Sequence, residues 1–144
     1  MKRVLARVLL AVILITCLIP TAAAAAIEPY ASDYFDDCKV TVTAISGGSL
    51  QIDAMATAKG TMSKIGVSEI TIQKKGLIFW SDETTQIGTT ANGLIKTNSK
   101  SYDKIITFSG LTVGEQYRAV VTFYAENSSG SDSITKTSVS VTAK

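Results

Sequence analysis

The chain has 144 residues, with 14 Lys and Arg against 12 Asp and Glu, two cysteines and no histidine. Without histidine there is no Ser-His-Asp or Cys-His nucleophilic system, and the usual zinc sites are excluded as well. Two cysteines allow at most one intramolecular disulfide, so an apolar core has to hold the fold.

At the N-terminus, Lys2, Arg3 and Arg7 stand before or at the start of an apolar run over residues 8–19, followed by Pro20 and the small-residue stretch Thr21-Ala22-Ala23-Ala24-Ala25-Ala26. Basic, apolar and small segments in that order make a secretory signal peptide. A membrane-spanning helix needs about 20 apolar residues. This run is shorter and ends in proline, so residues 1–26 are expected to be cleaved rather than retained as an anchor. Cys17 then leaves with the leader; Thr16 stands before it, where a lipoprotein has Gly, Ala or Ser. The exported chain of about 118 residues carries eleven basic against twelve acidic side chains, a net charge near −1. Its lysines are scattered, with no basic stripe to grip phosphate backbones, which argues against nucleic acid. The expected location is extracellular, with no membrane partner once the leader is gone.

Residues 27–37 form a lead-in containing Tyr30, Tyr34, Phe35, Asp33, Asp36 and Asp37, readable as a turn of helix or an extended entry to the first strand. The three acids lack the spacing of a calcium loop and are read as a solvated surface. Cys38 is read as a small apolar residue at a strand start, with an intermolecular bridge as the sharper alternative.

Over residues 38–144 the apolar pattern has period two, as in a strand with one buried face. Leu50, Ile52, Ala54, Ala56 and Ala58 make one such face, Ile70 and Ile72 a second, and Ile106 and Phe108 a third. Tyr117, Ala119, Val121, Phe123 and Ala125 make the longest, and Val139 and Val141 belong to a last strand. Turn chemistry separates these runs at Ser46-Gly47-Gly48-Ser49, Lys75-Gly76, Ala91-Asn92-Gly93, Ser109-Gly110 and Asn127-Ser128-Ser129-Gly130. About seven short strands at this spacing predict one all-β domain, an antiparallel sandwich.

Leu111, Gly114 and Tyr117, then the alternating face from Ala119 to Ala125, then Asn127 and Gly130 resemble the end of a fibronectin type III domain. The resemblance covers residues 105–141 and implies an immunoglobulin-like sandwich, with the Tyr117 hydroxyl turned back onto the backbone at a corner and Leu111 and Gly114 in structural roles. It departs at Val113, where such modules have proline, and the first half lacks their early tryptophan. A second resemblance rests on Glu28-Pro29-Tyr30-Ala31-Ser32-Asp33-Tyr34-Phe35, on Met62-Ser63-Lys64-Ile65-Gly66-Val67-Ser68-Glu69-Ile70-Thr71-Ile72-Gln73, and on Tyr117-Arg118-Ala119-Val120-Val121-Thr122-Phe123-Tyr124-Ala125-Glu126-Asn127-Ser128-Ser129-Gly130. These segments are similar to an uncharacterised family of small secreted proteins of Gram-positive, often gut-dwelling bacteria. That resemblance implies export and a single β-domain, and supplies no site residues.

Ser101-Tyr102-Asp103-Lys104 and Ser133-Ile134-Thr135-Lys136 match Ser-x-x-Lys, a pattern that brings lysine to serine on a helix but points them to opposite faces of a strand. Both lie in strand-like segments, so no catalytic residue, metal or cofactor is expected. Asn127-Ser128-Ser129 fits a glycosylation sequon and is read as a hairpin loop. Aromatic side chains remain as contact candidates, because they offer large area at low entropic cost. Phe79 and Trp80 are placed in a strand beside a polar loop, and Tyr124 on the face opposite Phe123. Trp80 and Tyr124 are the candidate binding surface, although core or inter-sheet packing is the favoured reading of Trp80. The composite expectation is a non-enzymatic extracellular binding or adhesion module for protein or cell-wall carbohydrate. A structural protein that self-associates by strand addition is the alternative.

Overall fold

A computed structural model describes residues 32–144. The expected leader, Cys17 and residues 27–31 of the lead-in lie outside the described residues. Seven strands make up the fold: β1 (Phe35–Ile45), β2 (Ser49–Lys75), β3 (Trp80–Ile87), β4 (Ile95–Phe108), β5 (Gln116–Asn127), β6 (Gly130–Thr137) and β7 (Val141–Thr142). The domain is all-β and every strand pair is antiparallel. The first strand starts at Phe35, so the acidic end of the lead-in is extended chain and not a helical turn.

β2 organises the sheet. Along residues 50–57 it pairs with β1 on one edge and β4 on the other. Beyond the bend, β5 follows β1 along the first edge and β3 follows β4 along the second, while Lys64, Ile65 and Gly66 hold β4 and β5 at once. β6 and β7 line the outer edge of β5. The period-two pattern predicts separate strands over 50–58 and 70–72; the structure joins them, because β4 stays paired across the gap. The pairing slips between Thr57 and Met62, and on the facing strand Asn98 takes φ 50°. Asparagine tolerates that left-handed region better than other residues with a side chain. The extra residues on β2 break the alternation that would have marked the strand, and bulges of this kind bend and twist it. One curved sheet results, with its apolar face turned inward.

Alternation decides what lies inside. Leu50, Ile52, Ala54, Ala56 and Ala58 of β2, Ile70 and Ile72 beyond the bend, and Tyr117, Ala119, Val121, Phe123 and Ala125 of β5 are all buried. Phe35, Cys38 and Val42 of β1 close the core from its edge, and burial pushes the Cys38 thiol up to about 12. Cys38 is thus a core residue held as the neutral thiol. Ser32 fastens the start of β1: its hydroxyl accepts from the Tyr34 and Phe35 amides at 3.0 and 2.9 Å and donates to Asp132 of β6.

Backbone contacts gather two connections and the C-terminal residues at one end of the sheet. The Gly48 amide donates to the Lys144 carbonyl at 2.8 Å, Leu111 donates to Gly48 at 2.9 Å, and Gly114 donates to Ala143 at 2.9 Å. At Gly48 (φ 63°) a Cβ would stand 2.2 Å from the Leu111 carbonyl oxygen, so only glycine fits. Leu111 is buried, Gly114 has φ 87°, and the Thr112 amide donates at 3.0 Å to the hydroxyl of fully buried Tyr117.

Two buried tyrosines therefore differ in kind. The hydroxyl of Tyr117 has a partner, while that of Tyr102 has none among the described residues, and burial raises the Tyr102 pKa above its ordinary value. Tyr117→Phe is expected to cost about 1–2 kcal/mol, because it strands the Thr112 amide. Tyr102→Phe is expected to be neutral or stabilising by up to about 1 kcal/mol, since it removes an unsatisfied group. Urea denaturation of both variants checks the opposite signs.

Candidate functional site

The β2–β3 connection is the departure from ordinary local rules. Lys75 pairs with Trp80, and the Gly76 amide donates to the Phe79 carbonyl at 2.8 Å, leaving Leu77 and Ile78 as the two central residues of a hairpin turn. Two-residue hairpins favour Asn-Gly or similar pairs with positive φ, whose twist matches the strands. Here neither central residue has positive φ, and both are large and apolar. Leu77 is 104% exposed, Ile78 81% and Phe79 78%. Fully burying a side chain of this size stabilises by about 1.5–3 kcal/mol, and this hairpin leaves three in water.

In the sequence Phe79 reads as part of a strand, and nothing in residue type sets Leu77 or Ile78 apart from it. The run Leu77-Ile78-Phe79-Trp80 looks like the start of a buried strand. Only the Gly76–Phe79 hydrogen bond turns it into a tip. The usable signal was that Gly76 is followed directly by apolar residues with no polar turn residue among them.

Behind the tip, Trp80 is half-buried and outside the core cluster. Core or inter-sheet packing does not describe it. The Arg118 guanidinium lies 4.3 Å from the indole centroid, a cation–π contact, and is fixed there by Nε donating to Gln73 at 2.8 Å. Gln73 in turn donates to Asp82 at 2.8 Å. One face of the indole is therefore already occupied.

Tyr124 stands toward the other end of the same outer sheet face, six residues along β5 from Arg118. Between them run polar cross-strand pairs, with Thr71 and Thr85 hydroxyls 2.9 Å apart and those of Thr122 and Thr135 3.0 Å apart. Trp80 and Tyr124 thus share a face without converging on one site. Half-buried Tyr124 lines an open cleft of about 320 Å³ with Lys64, Ser68, Gly88, Thr89, Thr90 and Ile95. Its hydroxyl donates to Glu126, which also receives Lys64 at 3.1 Å. The Tyr124 bond, then Lys64, holds the Glu126 carboxyl below its usual range, and the same bond raises Tyr124. These groups satisfy one another, and no unpaired acid or base points into the cleft.

Both Ser-x-x-Lys matches lie on strands. Ser101 and Lys104 lie along β4, and Lys104 donates to the Asn92 carbonyl at 2.7 Å. Ser133 and Lys136 lie along β6, exposed. Asp33, Asp36 and Asp37 are exposed, and no group of three metal-ligating side chains occurs among the described residues. Asn127 caps the β5–β6 hairpin, its side-chain oxygen accepting from the Ser129 amide at 2.8 Å. No protein-family model and no curated protein matches the chain.

Two outcomes follow. Replacing Leu77-Ile78 by Asn-Gly is expected to raise stability by about 0.5–2 kcal/mol, because that pair favours the two-residue turn whose twist matches the strands. Thermal and urea unfolding measure it. At Glu126, whose folded pKa is lowered, any stabilisation is present above the unfolded pKa and lost as pH falls through the folded one. Tyr124→Phe is expected to move that titration back up toward the ordinary carboxylate value, as read by NMR of the Glu126 side chain.

Proposed function

We infer that this protein is a secreted binding or adhesion module whose contact element is the β2–β3 hairpin tip. The observation that carries the reading is the exposure of Leu77, Ile78 and Phe79 at a turn whose chemistry favours polar residues. Export rests on the leader pattern of residues 1–26 and on the similarity to small secreted proteins of Gram-positive bacteria. The tip replaces Tyr124 as the principal contact, because the Tyr124 hydroxyl is already engaged by Glu126.

An immunoglobulin-like, fibronectin type III-like plan is part of the same reading. Supporting it are β1-β2-β4 pairing in one half, β3-β2-β5-β6 in the other, and the Tyr117 hydroxyl closing a corner onto Thr112. That plan presents end loops and hairpins on a rigid scaffold, where binding residues concentrate. Self-association by strand addition draws less support. The open edge of β3 carries Asp82 and Glu83 and that of β6 carries Asp132 and Lys136, charges of the kind that guard edges, and Cys38 is buried.

The test is retention of the purified protein on washed cells of the producing organism. Leu77→Ser with Phe79→Ser is expected to lower retention by about 10-fold or more, with an unchanged melting temperature, while Tyr124→Ala leaves it intact. Equal retention of the tip variant and the parent would remove the tip from the function.

A further inference from the structure

The chemistry of the hairpin selects among partners, and the inference below rests on the proposed role of its tip. A carbohydrate needs hydrogen-bonding side chains and a free aromatic face. Leu77, Ile78 and Phe79 have no polar side-chain atoms, the Gly76 amide and the Phe79 carbonyl bond each other, and Arg118 covers a face of Trp80. The apolar side chains also stand outward, as their exposure requires.

Residues behind the tip change in a fixed order. Lys75 and Trp80 face each other in the first pair, Lys74 and Ser81 in the next, and Gln73 and Asp82 in the third, with Arg118 beside Gln73. At about 3.3 Å per strand residue, the tip and its first two pairs span roughly 10 Å, the depth to which interfacial segments bury their apolar side. Tryptophan and long cationic side chains just behind an apolar end are the arrangement that suits a headgroup layer. Among the described residues, Lys75 has no acidic partner, and Arg118 bonds the neutral Gln73 amide. Lys74 meets Glu115 at 3.8 Å, and Asp82, bonded like Arg118 to the neutral Gln73 amide, keeps its charge in the third pair with Glu83 behind it, farther from the apex than Lys75 and Lys74. Register places the β4–β5 and β6–β7 connections at this same end, where Val113 and Val139 are 62% and 76% exposed.

We propose that the β2–β3 hairpin docks on a lipid bilayer with anionic headgroups, with Leu77, Ile78 and Phe79 in the acyl region and Trp80, Lys75 and Lys74 at the headgroup level. This replaces the expectation from sequence that no membrane is engaged once the leader is gone. The anchor is the turn itself, and no spanning element is needed.

Trp80 is the chain's one tryptophan, so its fluorescence reports the depth of the tip whatever the rest of the chain does. The leader-processed protein is mixed with phosphatidylcholine vesicles, with and without phosphatidylglycerol, and with brominated lipids as quenchers. Expected are a blue shift and bromine quenching on the anionic vesicles, at an affinity about 10-fold or more above that for phosphatidylcholine alone. L77S with F79S, which keeps Trp80, is expected to lose affinity by about 100-fold. A folded parent protein showing no shift on either vesicle overturns the lipid partner. If tip-dependent retention on cells persists in that case, the tip binds a protein instead; if retention is also absent, the proposed contact role falls with it. A shift that appears without vesicles and reverses on dilution identifies a second copy as the occupant, and likewise overturns the proposal.

Discussion

Everything in this fold depends on β2, a strand of 27 residues paired along both edges over residues 50–57 and again over 64–66 and 69–74. Kept straight, such a strand would be about 90 Å long, far beyond the diameter of a domain this size. It has to bend, and it does so where the pairing with β4 slips between Thr57 and Met62. The bend curves the sheet around its apolar face, so one strand supplies core residues on both sides of the slip. At Gly66, just past the slip, a Cβ would meet the Leu94 carbonyl oxygen at 2.1 Å, which shows how closely the β3–β4 connection is drawn onto the strand.

The same strand delivers the hairpin tip. Because β5 holds the C-terminal part of β2 along one edge and β3 along the other, Lys75 is carried to the end of a rigid sheet and the turn projects beyond it. Local consistency is broken most plainly there: the β1–β2, β3–β4, β4–β5 and β5–β6 connections carry or adjoin glycine, and the buried tyrosine at the corner is satisfied. The connection between β2 and β3 instead sets two large apolar residues at its centre. Arg118, fixed over Trp80 by Gln73, stiffens the base of that projection without covering its apex.

Much of the fold was legible in the residues. Alternation over 50–58 and 117–125 marked the inward faces, and the Gly- and Asn-bearing clusters marked the chain reversals, because backbone geometry requires those residues locally. The corner at Leu111, Gly114 and Tyr117 was legible for the same reason: its parts lie within seven positions of one another. Joining the 50–58 and 70–72 segments into one strand was not legible, since the bulge erased the alternation between them and the continuity is supplied by β4, some forty residues away.

The site divides along the same line. The sequence alone determined an all-β chain without histidine and marked an apolar N-terminal run and the aromatic residues as features to explain; each of these follows from composition or from neighbours in the chain. Tertiary structure decided which apolar residues are core and which are surface. Ile70 and Ile78 are the same residue type in similar company, yet one is sealed between β3 and β5 and the other stands in water, because burial depends on what the rest of the chain places opposite a side chain.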